Sequence, residues 1–167
     1  GGLLSFGHAV YFGLGGYAAM HAMRAIEHAD GGFWANYPVF GLPIIGFAGG
    51  ALAGAVIGWP SCRRAGTPFA MISLGVAELI VAAGFMFNSI FGGEEGISGD
   101  RMNGPELFGL SMGPVSDVYW FIAFWLVVGV AGMYAFTRTP LGKMSEATRD
   151  NPERVEFVGY DPQRVRY

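Results

Sequence analysis

Of the 167 residues, 52% are hydrophobic, 15% aromatic and only 14% charged, with a formal net charge of −3. A soluble domain carries about 25% charged residues. The composition therefore excludes an ordinary water-facing surface, and the acidic balance excludes a basic nucleic-acid footprint. The one cysteine, Cys62, excludes an internal disulfide and a Cys-x-x-Cys motif, and reads as a reduced, packed thiol.

Residues 1–23 hold no Asp, Glu, Lys or Arg, nor do residues 31–62 and 118–137, while residues 65–93 hold one, Glu78. Each run is long enough for the roughly 30 Å hydrocarbon core, which takes about 20 helical residues. Lipid offers backbone amides no partner, so each run reads as a helix that satisfies its own hydrogen bonds. The predicted spans are 3–26, 39–59, 68–91 and 118–136. A soluble bundle would need polar faces that these stretches lack. The predicted fold is all-α: a polytopic membrane protein with four transmembrane helices, part of a larger helical bundle.

The first span carries Gly7, Gly13, Gly15, Gly16 and Ala19, with Ser5 and His8 as candidates for bonding an opposing helix or lining a substrate path. His8, His21 and His28 lack His-x-x-x-His spacing, so no metal site is expected. In the second span Gly46, Gly50, Gly54 and Gly58 recur every four residues. Residues at i and i+4 share a face, so these glycines form a groove for another helix backbone, for static packing or for sliding. The third span places Glu78 near its middle, where a charge costs at least about 2.5–3.5 kcal/mol. Met71, Gly75, Ala82 and Phe85 share its face, which points to a protein or cavity neighbour. Glu78 reads either as a substrate-path group or as a protonated, hydrogen-bonded packing residue. The fourth span adds Gly129, Gly132 and Ala135.

Between the third and fourth spans, residues 92–117 form a loop that opens on Gly92-Gly93-Glu94-Glu95-Gly96. Its glycines permit left-handed turns, and Glu94 and Glu95 could receive a cation or a basic patch. The tail, 138–167, repeats one device: Thr139-Pro140, Asn151-Pro152 and Asp161-Pro162 each pair an N-cap residue with a helix-starting proline. Short helices are predicted over 140–149 and 152–158, with Gly159 as the stop of the second. Such helices either dock another protein or lie at the membrane surface.

The charges sort by side. Arg63 and Arg64 join the second and third spans, and the tail holds Arg138, Lys143, Arg149, Arg154, Arg164 and Arg166. Loop 92–117 holds Glu94, Glu95, Asp100, Glu106 and Asp117 against Arg101. The positive-inside rule places tail 138–167 in the cytoplasm and loop 92–117 outside. Arg24 then falls at the outer end of the first span, with Glu27 and His28 as partners at i+3 and i+4. Trp34, Trp59, Tyr119 and Trp120 fall near span ends, as interfacial aromatics do. Both ends of the chain read as cut, so a fragment of a larger polytopic protein is expected.

Several motifs occur together in one order: Leu4-Ser5-Phe6-Gly7-His8-Ala9, Tyr17, then Pro68-Phe69-Ala70-Met71-Ile72-Ser73-Leu74, then Gly92-Gly93-Glu94-Glu95-Gly96-Ile97. Arg138-Thr139-Pro140-Leu141-Gly142-Lys143, Arg149-Asp150-Asn151-Pro152 and Glu156 with Gly159-Tyr160 follow. In this order they resemble the branched-chain amino acid permeases of ATP-binding-cassette transporters. The likeness is greatest to the M-type membrane subunit of high-affinity leucine/isoleucine/valine systems. The resemblance makes the 1–137 segment a transmembrane permease bundle and the 138–167 segment a cytoplasmic coupling loop.

It implies a non-enzymatic subunit that works by alternating access in the bacterial inner membrane. No Gly-x-x-x-x-Gly-Lys-[Ser/Thr] run is present, so no cofactor is expected in this chain, and ATP and Mg belong to partner ATPases. The implied partners are a second permease subunit in a heterodimer, two cytoplasmic ATP-binding subunits, a periplasmic substrate-binding protein and the lipid bilayer, with no nucleic acid. Lys143, Arg149, Asp150, Asn151, Glu156 and Gly159 are the implied ATPase contacts, and Glu94 and Glu95 the implied contacts of the binding protein. The alternatives are a permease of the same family for urea, short amides or other amino acids, and a passive facilitator. A membrane enzyme would want paired carboxylates or a nucleophile with a base inside the spans, where Glu78 stands alone.

Overall fold

The computed structural model describes residues 6–62, 66–102 and 112–166, and every regular element among them is helical. Helix α1 (His8–Glu27) is followed by a 3-10 turn (Val39–Gly41) that runs into α2 (Leu42–Ser61). Then come α3 (Thr67–Met86), the single turn α4 (Asn88–Phe91) and α5 (Val115–Arg138). Three short helices close the chain: α6 (Pro140–Asp150), α7 (Pro152–Phe157) and α8 (Pro162–Arg166). Proline occupies the first or second position of α2, α3, α6 and α7, where its missing N–H would have had no intrahelical partner.

Among the described residues three helices are long and apolar enough to cross a membrane: Val39–Ser61, Thr67–Met86 and Val115–Arg138. Four were expected. Helix α1 has the length, 20 residues, but His8, His21, Arg24 and Glu27 dilute its apolar character. The helix expected over 68–91 is also broken. Phe87, at φ −101° and ψ 72°, leaves the helix after Met86, and Asn88 opens the separate turn α4. Asn88 and Ser89 compete with helical backbone bonds through their own side chains. Gly92 then ends α4 in the left-handed region at φ 78°, its N–H donating to Asn88 O at 2.9 Å.

Helices α1 and α2 pack antiparallel, backbone against backbone. A Cβ on Gly15 would stand 2.6 Å from Gly46 O, and one on Gly50 would stand 3.1 Å from Tyr11 O. Gly46 rests against Gly15 and Ala19, and Gly49 against Ala18. The four-residue glycine ridge is therefore used at Gly46 and Gly50, whereas Gly54 meets nothing within 4 Å among the described residues. Gly129 and Gly132 of α5 likewise meet nothing within 4 Å. Where the end of α1 meets the start of α2, Ala22, Ile26, Val39 and Leu42 form a buried cluster, with Tyr37 and Met112 packed on it.

The outside of the molecule is apolar. Phe12 is 87% exposed and Phe47 79%, and α5 buries no residue. Helix α5 meets Phe40 through Phe121 and Phe124, with ring centroids 4.8 and 6.1 Å away. In water such a surface would drive association, whereas hydrocarbon solvates it. The ends of α1, α3 and α4, the start of α2 and the start of α5 gather at one end of the bundle, the loop end. The tail helices leave from the other.

Candidate functional site

Helix α1 has two working faces. Tyr11, Gly15, Ala18 and Ala19 meet α2, while Val10, Leu14, Tyr17, His21 and Arg24, at spacings of three and four, face α3, α4 and the loop. Between α1 and α3 lies an apolar cavity of about 340 Å³. Val10, Gly13 and Leu14 line one wall, and Ile80, Val81 and Gly84 the other. Tyr17 packs edge-on against Phe91 at 4.9 Å to close its loop end, beside Gly93. Towards the other end the Phe6 amide donates to the buried Ser73 Oγ at 3.2 Å, tying the segment just before α1 to α3.

Above Tyr17 a series of polar contacts fixes the loop to α1. His21 Nε2–H donates to Ile90 O at 2.7 Å, and Arg24 Nε donates to Ser98 O at 3.1 Å. Glu27 Oε2 accepts the Asp100 amide at 3.4 Å, and His28 Nδ1–H donates to Arg24 O at 2.9 Å. The expected Arg24–Glu27 pairing along the helix gives way to bonds that carry both side chains onto the 98–100 segment. The sequence carried part of the signal: one charged pair, Arg24 and Glu27, at the end of an otherwise uncharged span.

The loop itself is a tight glycine turn. A Cβ on Gly92 would run into Gly96 O and stand 3.0 Å from Gly96 Cα. Gly93 and Gly96 also take positive φ, 62° and 69°. The turn pushes Glu94 and Glu95 outwards, and both are exposed. Ser5 lies outside the described residues. His8 is exposed at the start of α1. Glu78 is exposed on α3, on a face where Met71 is 74% and Phe85 61% exposed, and it does not line the cavity.

At the other end of the bundle the tail folds on itself. Thr139 Oγ1 accepts the Gly142 amide at 3.2 Å, Asn151 Oδ1 the Arg154 amide at 3.2 Å, and Asp161 Oδ1 the Gln163 amide at 2.8 Å. All three residue–proline pairs therefore cap a helix. Thr148 and Val155 are buried between the short helices, and Thr148 Oγ1 donates to its own helix at Met144 O, 2.7 Å away. Gly159, at φ 90°, stops α7 by donating to Glu156 O at 2.9 Å.

Lys143, Arg149, Asp150, Asn151 and Glu156 all lie exposed around this unit. Arg149 and Asp150 form an ion pair of 3.6 Å at the surface, which contributes little to stability. Among these charges Phe157 is 89% exposed and Val158 68%. The Asn151 cap orders this apolar pair. Asn151→Ala is expected to cost about 1 kcal/mol and to fray α7. Faster amide exchange over residues 152–158 would register it, and an unchanged rate would show that α7 does not depend on the cap.

The sequence pattern of the family described as "Branched-chain amino acid transport system / permease component" matches residues 1–167. The chain belongs to that family. With its apolar helices, this makes it a multi-pass membrane protein. The high-affinity branched-chain amino acid transport system permease protein LivM of Escherichia coli is 26% identical over 189 aligned residues, covering 99% of this chain and 42% of the relative. Its counterpart from Salmonella typhimurium matches at the same identity and coverage. The chain thus spans less than half the length of the curated relatives it matches. No solved structure matches.

Proposed function

We propose that the chain is part of the permease subunit of an ATP-binding-cassette importer for branched-chain amino acids. It works by alternating access in the bacterial inner membrane beside a second permease subunit. The family match over residues 1–167 supports the transport reading. One structural observation carries the further step to ATP-driven import. The tail is a capped, folded unit that exposes Phe157 and Val158 together with the charged Arg149, Asp150 and Glu156. An amphipathic surface of this kind suits a cleft in a cytoplasmic ATPase better than hydrocarbon.

In this reading α1 is a fourth span, and the arginine-rich tail lies in the cytoplasm. Arg149, Asp150 and Glu156 meet the ATPase together with Lys143, while Asn151 and Gly159 hold α7 in shape. ATP and Mg are bound by the two ATPase subunits. Glu94 and Glu95, at the loop end, receive a periplasmic binding protein. His8, Ser5 and Glu78 belong to the contact with the remaining helices or to the substrate path.

The test uses the intact transporter in proteoliposomes, with labelled leucine outside and ATP supplied to the ATPases. Arg149→Glu reverses one charge at the docking surface and is expected to cut ATP-driven uptake at least about tenfold at equal permease level. Uptake that survives both ATPase removal and Arg149→Glu would make the protein a facilitator and sink the importer reading. Uptake of urea or a short amide in place of leucine would overturn the substrate class.

A further inference from the structure

We propose that residues 88–100 are a strap that closes the loop end between α1 and α3 and comes off α1 during each transport cycle. This rests on the alternating-access reading above and adds to it the contact that parts.

Side chains on α1 hold the strap by its main chain. His21 and Arg24 donate to Ile90 O and Ser98 O at 2.7 and 3.1 Å, and Glu27 accepts the Asp100 amide at 3.4 Å. Residues three apart are neighbours on a helix surface, so the bonds form one seam. Tyr17 meets Phe91 edge-on at 4.9 Å, and Met23 lies against Gly99. The strap buries nothing of its own: every residue from 88 to 100 is exposed or half-buried. A segment with exposed hydrogen bonds and little buried apolar surface is the part of a structure that opens first.

The opposite face of α1 is held differently. There Gly15 and Gly46 bring two backbones together, and Ala22 and Ile26 are buried with Val39 and Leu42. Parting α1 from α2 would expose that cluster, whereas parting α1 from the strap costs only exposed polar bonds and two edge contacts. An opening at the loop end therefore runs along the strap. The backbone supplies the joint. Phe87, at φ −101° and ψ 72°, separates α3 from α4, so the strap swings without unwinding α3.

A reversible lock tests the proposal. A Cβ on Gly99 would stand 3.6 Å from Met23 Cβ, within the span of about 3.5–4.5 Å that a disulfide bridges. The pair Met23→Cys/Gly99→Cys is placed in the intact transporter, freed of its other cysteines by Cys62→Ser and like changes. Oxidation is expected to cut leucine uptake into proteoliposomes at least about tenfold, and a reductant to restore it. Each single variant should be indifferent to the oxidant. A packing defect would not follow the redox state. Full uptake by the oxidised pair, with the disulfide confirmed by mass, overturns the proposal. So does a folded pair that does not oxidise, because the strap would then not rest on α1.

If the double variant does not assemble, Arg24→Ala combined with Gly84→Cys gives a second measurement. Gly84 lines the cavity, and a Cβ there meets nothing within 4 Å. Loosening the strap is expected to speed labelling at that cysteine by a membrane-impermeant maleimide at least about threefold. An unchanged rate overturns the proposal. Absent uptake in the reduced parent would instead sink the permease reading, which the redox response of the pair cannot do.

Discussion

Gly15→Leu is expected to abolish the α1–α2 contact and to reduce the yield of monodisperse, detergent-solubilised permease about tenfold. At Gly15 even a Cβ would lie 2.6 Å from Gly46 O and 3.5 Å from Gly50 Cα, and backbone cannot rotate out of the way as a side chain can. Forcing extra carbons into a closed contact costs about 1–3 kcal/mol and more when the obstacle is main chain. In a membrane little compensates, because helices there associate through van der Waals contact of small residues rather than through expulsion of water. Gly15→Ala should already lower the melting temperature seen by size-exclusion after heating. Gly16→Ala and Gly54→Ala, where nothing lies within 4 Å of the added carbon, should stay within about 0.5 kcal/mol of the parent. A Gly15→Leu protein with parental yield and melting temperature would show that this contact does not hold the two helices together.

The same pair of helices shows what the sequence could and could not tell. Charge-free runs are a one-dimensional signal, and they marked α2, α3 and α5 because a spanning helix must be apolar on every side. The caps at Thr139, Asn151 and Asp161 were legible for a similar reason: a cap is a contact across three residues and needs no tertiary neighbour. The glycine ridge showed that α2 could be approached but not by which partner or along how much of its length. Gly46 and Gly50 are covered and Gly54 meets nothing within 4 Å among the described residues, a difference that depends on where α1 begins.

The break at Phe87 was hidden because hydrophobicity continues through Phe91 while the backbone does not. The cavity was hidden for the opposite reason. Its walls are ordinary span residues, and only the pairing of α1 with α3 sets Gly13 opposite Gly84. Glu78 was the residue that stood out most by type. Its exposed position on α3 is a matter of helix rotation, which a face with small residues at 75 and 82 does not determine.

Gly142→Val is expected to uncouple ATP hydrolysis from transport in the proposed importer, with uptake per ATP falling about tenfold while hydrolysis continues. The corner between α5 and α6 has no slack. A Cβ on Gly142 would run into Phe136 O and stand 3.0 Å from Thr137 Cα. Thr139 Oγ1 links the two sides, donating to Phe136 O at 2.6 Å and accepting the Gly142 amide at 3.2 Å. A push on α6 or α7 is therefore delivered to the end of the α5 span through backbone contact rather than through a flexible joint, as rigid-body switching needs. Valine at 142 must open that corner, which tilts α6 without touching the charges proposed to dock. Thr139→Ala, which loses the cap but adds no bulk, should fall between parent and Gly142→Val, at a cost of about 1 kcal/mol. Hydrolysis and uptake measured together on the same proteoliposomes give the ratio. An unchanged ratio, or equal loss of both activities with the complex intact, would show that this corner serves assembly and does not transmit the stroke.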